Sequence, residues 1–454
     1  MGQSKTKKRK RNKHLSTINP NAAGIDIGSQ FHVVAVPADR DDEPVRTFQS
    51  FTGDLHRLAD WLVACRIETV AMESTGIYWV PLYEILEKRG ISVIVSNARD
   101  VKHVPGRKTD VTDAQWLQQL HEYGLLRGSF HPPADIAALR AYLRQRERLL
   151  DYAAAHIQHM QKALMQMNLQ LHHVVSDITG KTGMLIIRAI LDGNHEPAVL
   201  AKLRDGRCKA SIETVAHALE GNYRPEHLFA LSQSVALYDR YQIHVTECDQ
   251  HIEAVLMRLR APEPPEAPLP APRHKTKQPN ALNFDVRTAL YSMIGVDLTQ
   301  IHGIGPYIAL KLVGECGTDM SKWPTAKHFT SWLCLAPGNK ISGGKVLSAH
   351  TRRSKNRVTA LLRLCAVNVG RTDSALGAFY RRLASRVGKS KAVTATARKL
   401  AVLFYNTLRY GVDYSDPGAS YYEERHRTRV LHNLTRRARQ LGYTLEPVPV
   451  EGVS

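Results

Sequence analysis

The sequence predicts an α/β N-terminal domain, a long helical or coiled-coil middle region and a mostly α-helical C-terminal domain. Three observations predict it. Strand-like and helix-like segments alternate up to Ser96, a breaker-poor run from Leu139 to Leu171 keeps apolar residues at helical spacing, and a proline-rich stretch from Ala261 to Pro279 separates that region from further helical sequence. The boundaries read as a basic arm over 1–20, an α/β domain over 21–135, a helical region over 136–260, a linker over 261–284, a C-terminal domain over 285–415 and a basic tail over 416–454.

In chain order, Ala23 to Asp26 opens an apolar strand and Phe31 to Pro37 alternates as its hairpin partner, with Asn, Gly and Ser as turn formers. Val45 to Phe51 gives a third strand, Asp54 to Cys65 a helix, Thr69 to Glu73 a strand, Tyr78 to Arg89 a helix and Ile91 to Ser96 a β-branched strand. Leu139 to Leu171 is a long helix whose partner is Phe229 to Leu259, with shorter helices between Gly180 and Asn222. An antiparallel pair with one apolar stripe each serves either as a dimerisation arm or as an internal bundle. Proline and charge over 261–279 favour an extended linker. No internal repeat is present.

The chain has 454 residues, 43% apolar and 23% charged, which excludes a disordered or fibrous protein. Lys and Arg total 62 against 42 for Asp and Glu, a formal charge of +20 that favours a polyanionic partner, nucleic acid first. Six scattered cysteines without a CxxC pair argue against zinc and fit a reduced cytoplasm. No apolar run is long enough to span a membrane, so a soluble cytoplasmic protein is expected. Met1-Gly2 with Thr6 matches the loose myristoylation pattern, and a basic arm for nucleic acid explains the same residues.

Asp26 lies in Gly24-Ile25-Asp26-Ile27-Gly28 on a strand expected to be central, where an ionised carboxylate is costly without a partner such as a divalent cation. Glu73 ends the next apolar strand, so the two carboxylates can project from one end of neighbouring strands. Asp110 and Asp113 precede the helical Trp116 to Tyr123 and share one face of its start. Helix capping explains any one of these residues but not all four. Four carboxylates suit one or two Mg²⁺ ions, and Arg107 and Lys108 suit a phosphate backbone. The Asp-x-Gly turn after the first strand also resembles the phosphate-binding turn of actin-like ATPases and sugar kinases, but no second glycine-rich phosphate turn follows.

In the C-terminal domain, Ile301 to Ala309 has the form of a helix-hairpin-helix turn, in which Gly303 and Gly305 free backbone amides for a phosphate; a glycine-rich connection between packed helices is the plainer reading. Leu335 to Lys345 reads as too flexible for regular structure and presents Ser342 before two glycines, between Lys340 and Lys345. From Lys340 to Lys399 the only acid is Asp373, among basic residues that include Arg352, Arg353, Lys355 and Arg357. Such one-sided charge binds phosphates in a salt-dependent way. A serine hydroxyl beside a scissile phosphate can attack it and keep the bond energy as an ester.

Taken together, Gly106 to Trp116, Gly124 to Phe130 and the Ser342-Gly343-Gly344 turn resemble the transposases of the insertion sequence 110 family, in particular its 1111 subgroup. The likeness covers 23–135 and 285–415. It implies a RuvC-like fold of the RNase H superfamily over 21–135, with an Asp-Glu-Asp-Asp tetrad on Asp26, Glu73, Asp110 and Asp113 holding Mg²⁺, and a serine nucleophile on Ser342, with Ser348 in reserve. It also implies donor and target DNA as substrates, a non-coding bridge RNA, and dimers that assemble into a tetramer. The proline-rich segment, the enlarged region before it and the extended tail depart from the family pattern, as does Ser348 to Asn356.

The leading expectation is therefore a DNA recombinase working through a serine–DNA intermediate. The alternative is a metal-dependent, structure-selective RuvC-like nuclease without serine chemistry. A non-catalytic nucleic-acid-binding protein and an ATPase are the remaining classes.

Overall fold

A computed structural model describes residues 16–74, 76–97, 112–263, 265, 267–273, 278, 280–353 and 356–446. The chain divides into two compact units, one up to His131 and one from Pro132 onward.

The first unit is built on a five-stranded mixed sheet, β1 (Ala22–Ile27), β2 (Phe31–Ala35), β3 (Val45–Gln49), β4 (Thr69–Glu73) and β5 (Ser92–Ser96), in the order β3-β2-β1-β4-β5. β1 pairs antiparallel with β2 and parallel with β4, so Asp26 lies on the central strand, as the sequence predicts. Side chains alternate between the two faces. One face presents Ala23, Ile25, Ile27, Val70 and Met72 to the helices α1 (Thr52–Ala64) and α2 (Trp79–Lys88), whose Leu55, Leu58, Leu62, Leu82 and Leu86 are fully or almost fully buried. Each such leucine contributes about 1.5–3 kcal/mol.

The opposite face carries small or polar residues: Ala22, Gly24 and Asp26 on β1, with Thr69, Ala71 and Glu73 on β4. It is covered by α3 (Asp113–Glu122), which is started by a capping box in which Thr112 and Gln115 each accept from the other's backbone amide. The approach is close because Gly24 lacks a side chain. A Cβ there would stand 2.2 Å from the Ala114 carbonyl oxygen and 2.3 Å from the Gln118 nitrogen. At the far end of α3, Thr69 Oγ1 and His121 Nε2 share a 2.8 Å hydrogen bond, and burial keeps that imidazole below its ordinary pKa.

The second unit opens with α4 (Ala134–Gln166), which packs antiparallel against α9 (Pro225–Arg258). Arg146 and Asp249 form a buried ion pair between them at 2.5 Å, and Tyr142 stacks on His251. The distal ends of the pair hold a cap of short helices, α5 (Leu171–Val174), α6 (Lys181–Leu191), α7 (Pro197–Ala201) and α8 (Ile212–Ala218), around Met160, Leu164, Ile186, Ile187 and Leu231.

The helices α10 (Val286–Ile294), α11 (Pro306–Cys316) and α12 (Ala326–Trp332) follow. Next come the hairpin β6 (Lys340–Ser342) and β7 (Lys345–Ser348), then α13 (Arg357–Val369), α14 (Ala375–Val387), α15 (Lys389–Tyr410) and α16 (Gly418–Gln440). α15 forms the core of this part: Phe404 and Tyr405 are fully buried against Phe329, and the Tyr405 hydroxyl donates to the Trp323 carbonyl at 2.7 Å.

The proline-rich stretch is pinned along its described residues. Arg287 donates to the Pro270 carbonyl, Tyr291 to Ala267 and Gln300 to Ala271. Proline removes backbone donors but leaves the carbonyls of the stretch free to accept, and those of Ala267, Pro270 and Ala271 do so from α10 and the turn after it. α4 docks on α11 through Arg140, which donates to the Gly314 and Glu315 carbonyls, and through a bidentate Arg144–Glu315 pair. Among the described residues no helix is long and apolar enough to cross a membrane.

Candidate functional site

The polar face of the first sheet carries the acidic site. Gly24 pairs with Ala71 and Ile25 with Met72 in the parallel β1–β4 register, which sets Asp26 and Glu73 one step further on, side by side and on the same face. α3 runs back over this face with its N-terminus at the carboxyl end of the strands, and Asp113 is its first residue. Burial raises the Asp26 carboxyl above the usual carboxylate range, and the charge of Asp113 raises it further. Three of the four expected carboxylates therefore belong to one end of one sheet face. Asp110 lies outside the described residues, as do Arg107 and Lys108.

Among the described residues no three His, Cys, Asp or Glu side chains gather as a ready-made metal cluster. Two converging acids with a third in register nonetheless suit Mg²⁺. That ion takes oxygen ligands and is usually held by one or two carboxylates, with water and substrate phosphate completing its shell. A cation would also relieve the like-charge strain that disfavours ionised Asp26.

The serine site differs from its expected form. The stretch read as too flexible for regular structure is a β-hairpin: Ser342 ends β6, Lys345 begins β7 opposite it, and Gly343 and Gly344 form the two-residue turn with φ of 54° and 76°. Two successive left-handed residues are what a type I′ turn requires, and glycine adopts them without a Cβ penalty. Lys340, Ser342 and Lys345 are all exposed, as are the apolar Ile341, Val346 and Leu347. Ser342 Oγ has no hydrogen-bond partner among the described residues. Ser348 pairs with Lys340 at the hairpin base, where its hydroxyl accepts from the His350 amide.

The basic residues after the hairpin divide by role. Arg353 is exposed, and Arg352, also exposed, donates to the Ser331 carbonyl at 2.9 Å. Arg357 is engaged inside the unit, paired with Glu147 of α4 and Glu315 of α11. Lys355 lies outside the described residues.

The Gly303–Gly305 turn connects packed helices. A Cβ on Gly303 would meet Val369 Cγ2 at 2.6 Å and the Cys365 carbonyl at 2.8 Å, and one on Gly305 would meet the Gln278 side chain at 2.2 Å. No residue from Ile301 to Ala309 is exposed. Both glycines are therefore closely packed.

Sequence reasoning missed a cleft of about 1190 Å³ between the hairpin base, α14, α15 and the start of α16. Its signal was present in Lys391, Arg398 and Lys399, which recur at i, i+7 and i+8 along one helix face.

Two stretches of the chain match known families. Residues 23–169 match a DEDD transposase family of the IS110 type, and residues 297–381 match the transposase IS116/IS110/IS902 family. Over 120 residues the chain is 32% identical to the insertion element IS110 uncharacterized 43.6 kDa protein of Streptomyces coelicolor. That similarity covers 26% of this chain and 29% of that protein.

Proposed function

We propose that this chain, which carries two IS110-type transposase segments, is a DNA transposase that cuts and rejoins strands to excise and insert an insertion sequence. The observation that carries the reading is the group of three acids at one end of the polar sheet face, where Glu73 stands beside Asp26 in register and where burial, together with the charge of Asp113, raises the Asp26 carboxyl. Asp26 and Glu73 are half-buried and Asp113 is exposed; like charges drawn together at a half-buried site are mutually unfavourable, which marks it as a candidate functional site. The fold reading that accompanies it is RuvC-like.

Asp26, Glu73 and Asp113, with Asp110 as the fourth member, would hold one or two Mg²⁺ ions, which supply charge neutralisation at a scissile phosphate. Ser342 Oγ attacks the phosphorus and loses its proton to solvent or a nearby base. A phosphoserine ester forms as the bond to one deoxyribose oxygen breaks, and that oxygen leaves as a hydroxyl after taking up a proton. The ester keeps the phosphodiester bond energy, so attack by a second sugar hydroxyl reseals a strand and frees the serine. Lys340 and Lys345 flank the hydroxyl and hold the phosphate backbone by charge. In this reading a bridge RNA pairs with donor and target DNA, dimers joined along α4 and α9 assemble into a tetramer, and the protein works in the cytoplasm.

The test is to incubate the protein with Mg²⁺, co-purified RNA and end-labelled DNA, then look on a denaturing gel for label carried by the protein. Wild type should give the adduct and Ser342→Ala should not. Mixing Ser342→Ala with Asp26→Ala protein then asks whether the serine and the acids can come from different copies: restored strand exchange places them in trans. A second reading is a nuclease that cuts with water. It requires Ser342→Ala to cleave as wild type does.

A further inference from the structure

The cleft in the second unit has a composition that the serine and carboxylate chemistry does not use. One wall is a face of α15 bearing Lys391, Arg398 and Lys399. None of the three forms an ion pair among the described residues, and no Asp or Glu lines the cleft. Three cations gathered without an acid are mutually repulsive, and an anionic occupant relieves that cost.

The other walls are largely apolar and include three aromatic rings. Phe379 of α14 and Tyr422 of α16 meet edge to face at 6.1 Å, and the Lys399 ammonium sits 4.7 Å from the Phe379 ring centroid. Tyr414 also lines the cleft, with its hydroxyl donating to Asp416. The volume, about 1190 Å³, exceeds the usual 300–1000 Å³ of a small-molecule site and admits more than one nucleotide.

Charge and rings together select the occupant. A duplex offers its phosphates but keeps its base faces inside the stack, out of reach of Phe379 and Tyr422. An acidic peptide offers charge without rings. An unpaired strand offers both, with phosphates for the cations and exposed faces for the aromatics. Position agrees: Pro337, His350 and Thr351 at the hairpin base also line the cleft, and the five residues from Gly338 to Ser342, three of them in β6, reach at most roughly 17 Å further along at about 3.3 Å each.

We propose that this cleft binds an unpaired segment of nucleic acid, with phosphates on Lys391, Arg398 and Lys399 and a base against Phe379 and Tyr422. It thereby holds a single strand close to the Ser342 hairpin. The proposal rests on the reading of the protein as one that handles nucleic acid and adds where it grips an unpaired strand.

The test uses the full chain and fluorescence anisotropy with fluorescein-labelled dT12, rU12 and a 12-base-pair duplex. An Arg398→Gln/Lys399→Gln double variant should weaken dT12 or rU12 binding by about tenfold at low salt and lower the log–log salt slope by about 1.4, two phosphate contacts at ~0.7 each. Duplex binding should change much less. Phe379→Ala should weaken single-strand binding by about tenfold while leaving duplex binding near that of wild type, which a folding defect would not allow, and Phe379→Tyr should restore the single-strand binding. Whether dT12 or rU12 binds more tightly identifies the strand as DNA or RNA. The cleft assignment is overturned if duplex binding falls as much as single-strand binding, if oligo-glutamate competes as well as dT12 does, or if the variants bind like wild type. A wild-type protein that binds none of the three probes overturns the nucleic-acid reading itself.

Discussion

The backbone nitrogen of Gln118 lies 2.3 Å from the point where a Cβ on Gly24 would stand, so α3 touches β1 through the one position that has no side chain. That contact sets the height of α3 over the sheet and with it the approach of Asp113 to Asp26. Gly24→Ala should cost about 1–3 kcal/mol by overpacking, read as a lower thermal midpoint. It should also abolish DNA cleavage in the protein that remains folded, because α3 must lift to accept a methyl group.

Asp26→Asn keeps the shape of the site and removes the repulsion from Asp113. Its thermal midpoint should therefore equal or exceed that of wild type, by about 2 °C, while strand cleavage falls by about 100-fold or more. A matched loss of stability and activity would mean instead that the carboxylate is structural.

The Ser342 hairpin should answer to turn chemistry alone. Gly343→Val forces a β-branched residue to a φ of 54°, at a cost of about 1–2 kcal/mol, whereas Gly343→Asn suits the same turn. Hydrogen exchange over 340–348 should rise in the valine variant and stay low in the asparagine variant, with the global melt unchanged in both because the hairpin is exposed.

Asp249 accepts from Arg146 and from the Asn283 amide in a site closed to solvent. Asp249→Ala leaves the guanidinium buried without its partner and should lower stability by about 3–5 kcal/mol in a denaturant titration. The double variant Arg146→Met/Asp249→Leu should recover much of that loss.

Asp297 links pH to stability. Burial alone would raise its carboxyl, but hydrogen bonds from Arg287, Thr299 and Gln300 prevail and hold it below the usual range. A group depressed in the folded state binds its proton later than in the unfolded chain. Its stabilisation is therefore complete above the unfolded value of about 3.9 and is lost as pH falls through the lower folded value. Melts between pH 5 and pH 3 should decline less steeply for Asp297→Asn than for wild type.

The order of strands and helices in the first unit was legible because each segment has its own period, two for strands and near 3.6 for helices. The central position of Asp26 followed from its apolar flanks. So did the placement of Asp26 and Glu73 at one end of neighbouring strands, which the parallel β1–β4 pairing shows; the exact register between strands far apart in sequence is set by pairing and packing that no local pattern contains. The hairpin was missed because its strands are short and exposed, although Gly343-Gly344 between them is itself a two-residue turn signal. Gly303 and Gly305 stay open to two readings, since a phosphate-facing loop and a tight helix contact both demand the absence of a Cβ, and the close neighbours here are Val369, Cys365 and Gln278. The proline-rich stretch suggested an extended spacer, yet its carbonyls are taken by Arg287, Tyr291 and Gln300.

β1 keeps its two sides for different work. Ala23, Ile25 and Ile27 hold the leucines of the outer helices, while Gly24 and Asp26, interleaved with them, face the acids and α3. Tolerance to substitution along this strand should thus follow a two-beat rhythm. Damage at odd positions costs folded protein, which larger apolar residues can partly recover, whereas at Asp26 the protein stays folded and only its chemistry is silenced.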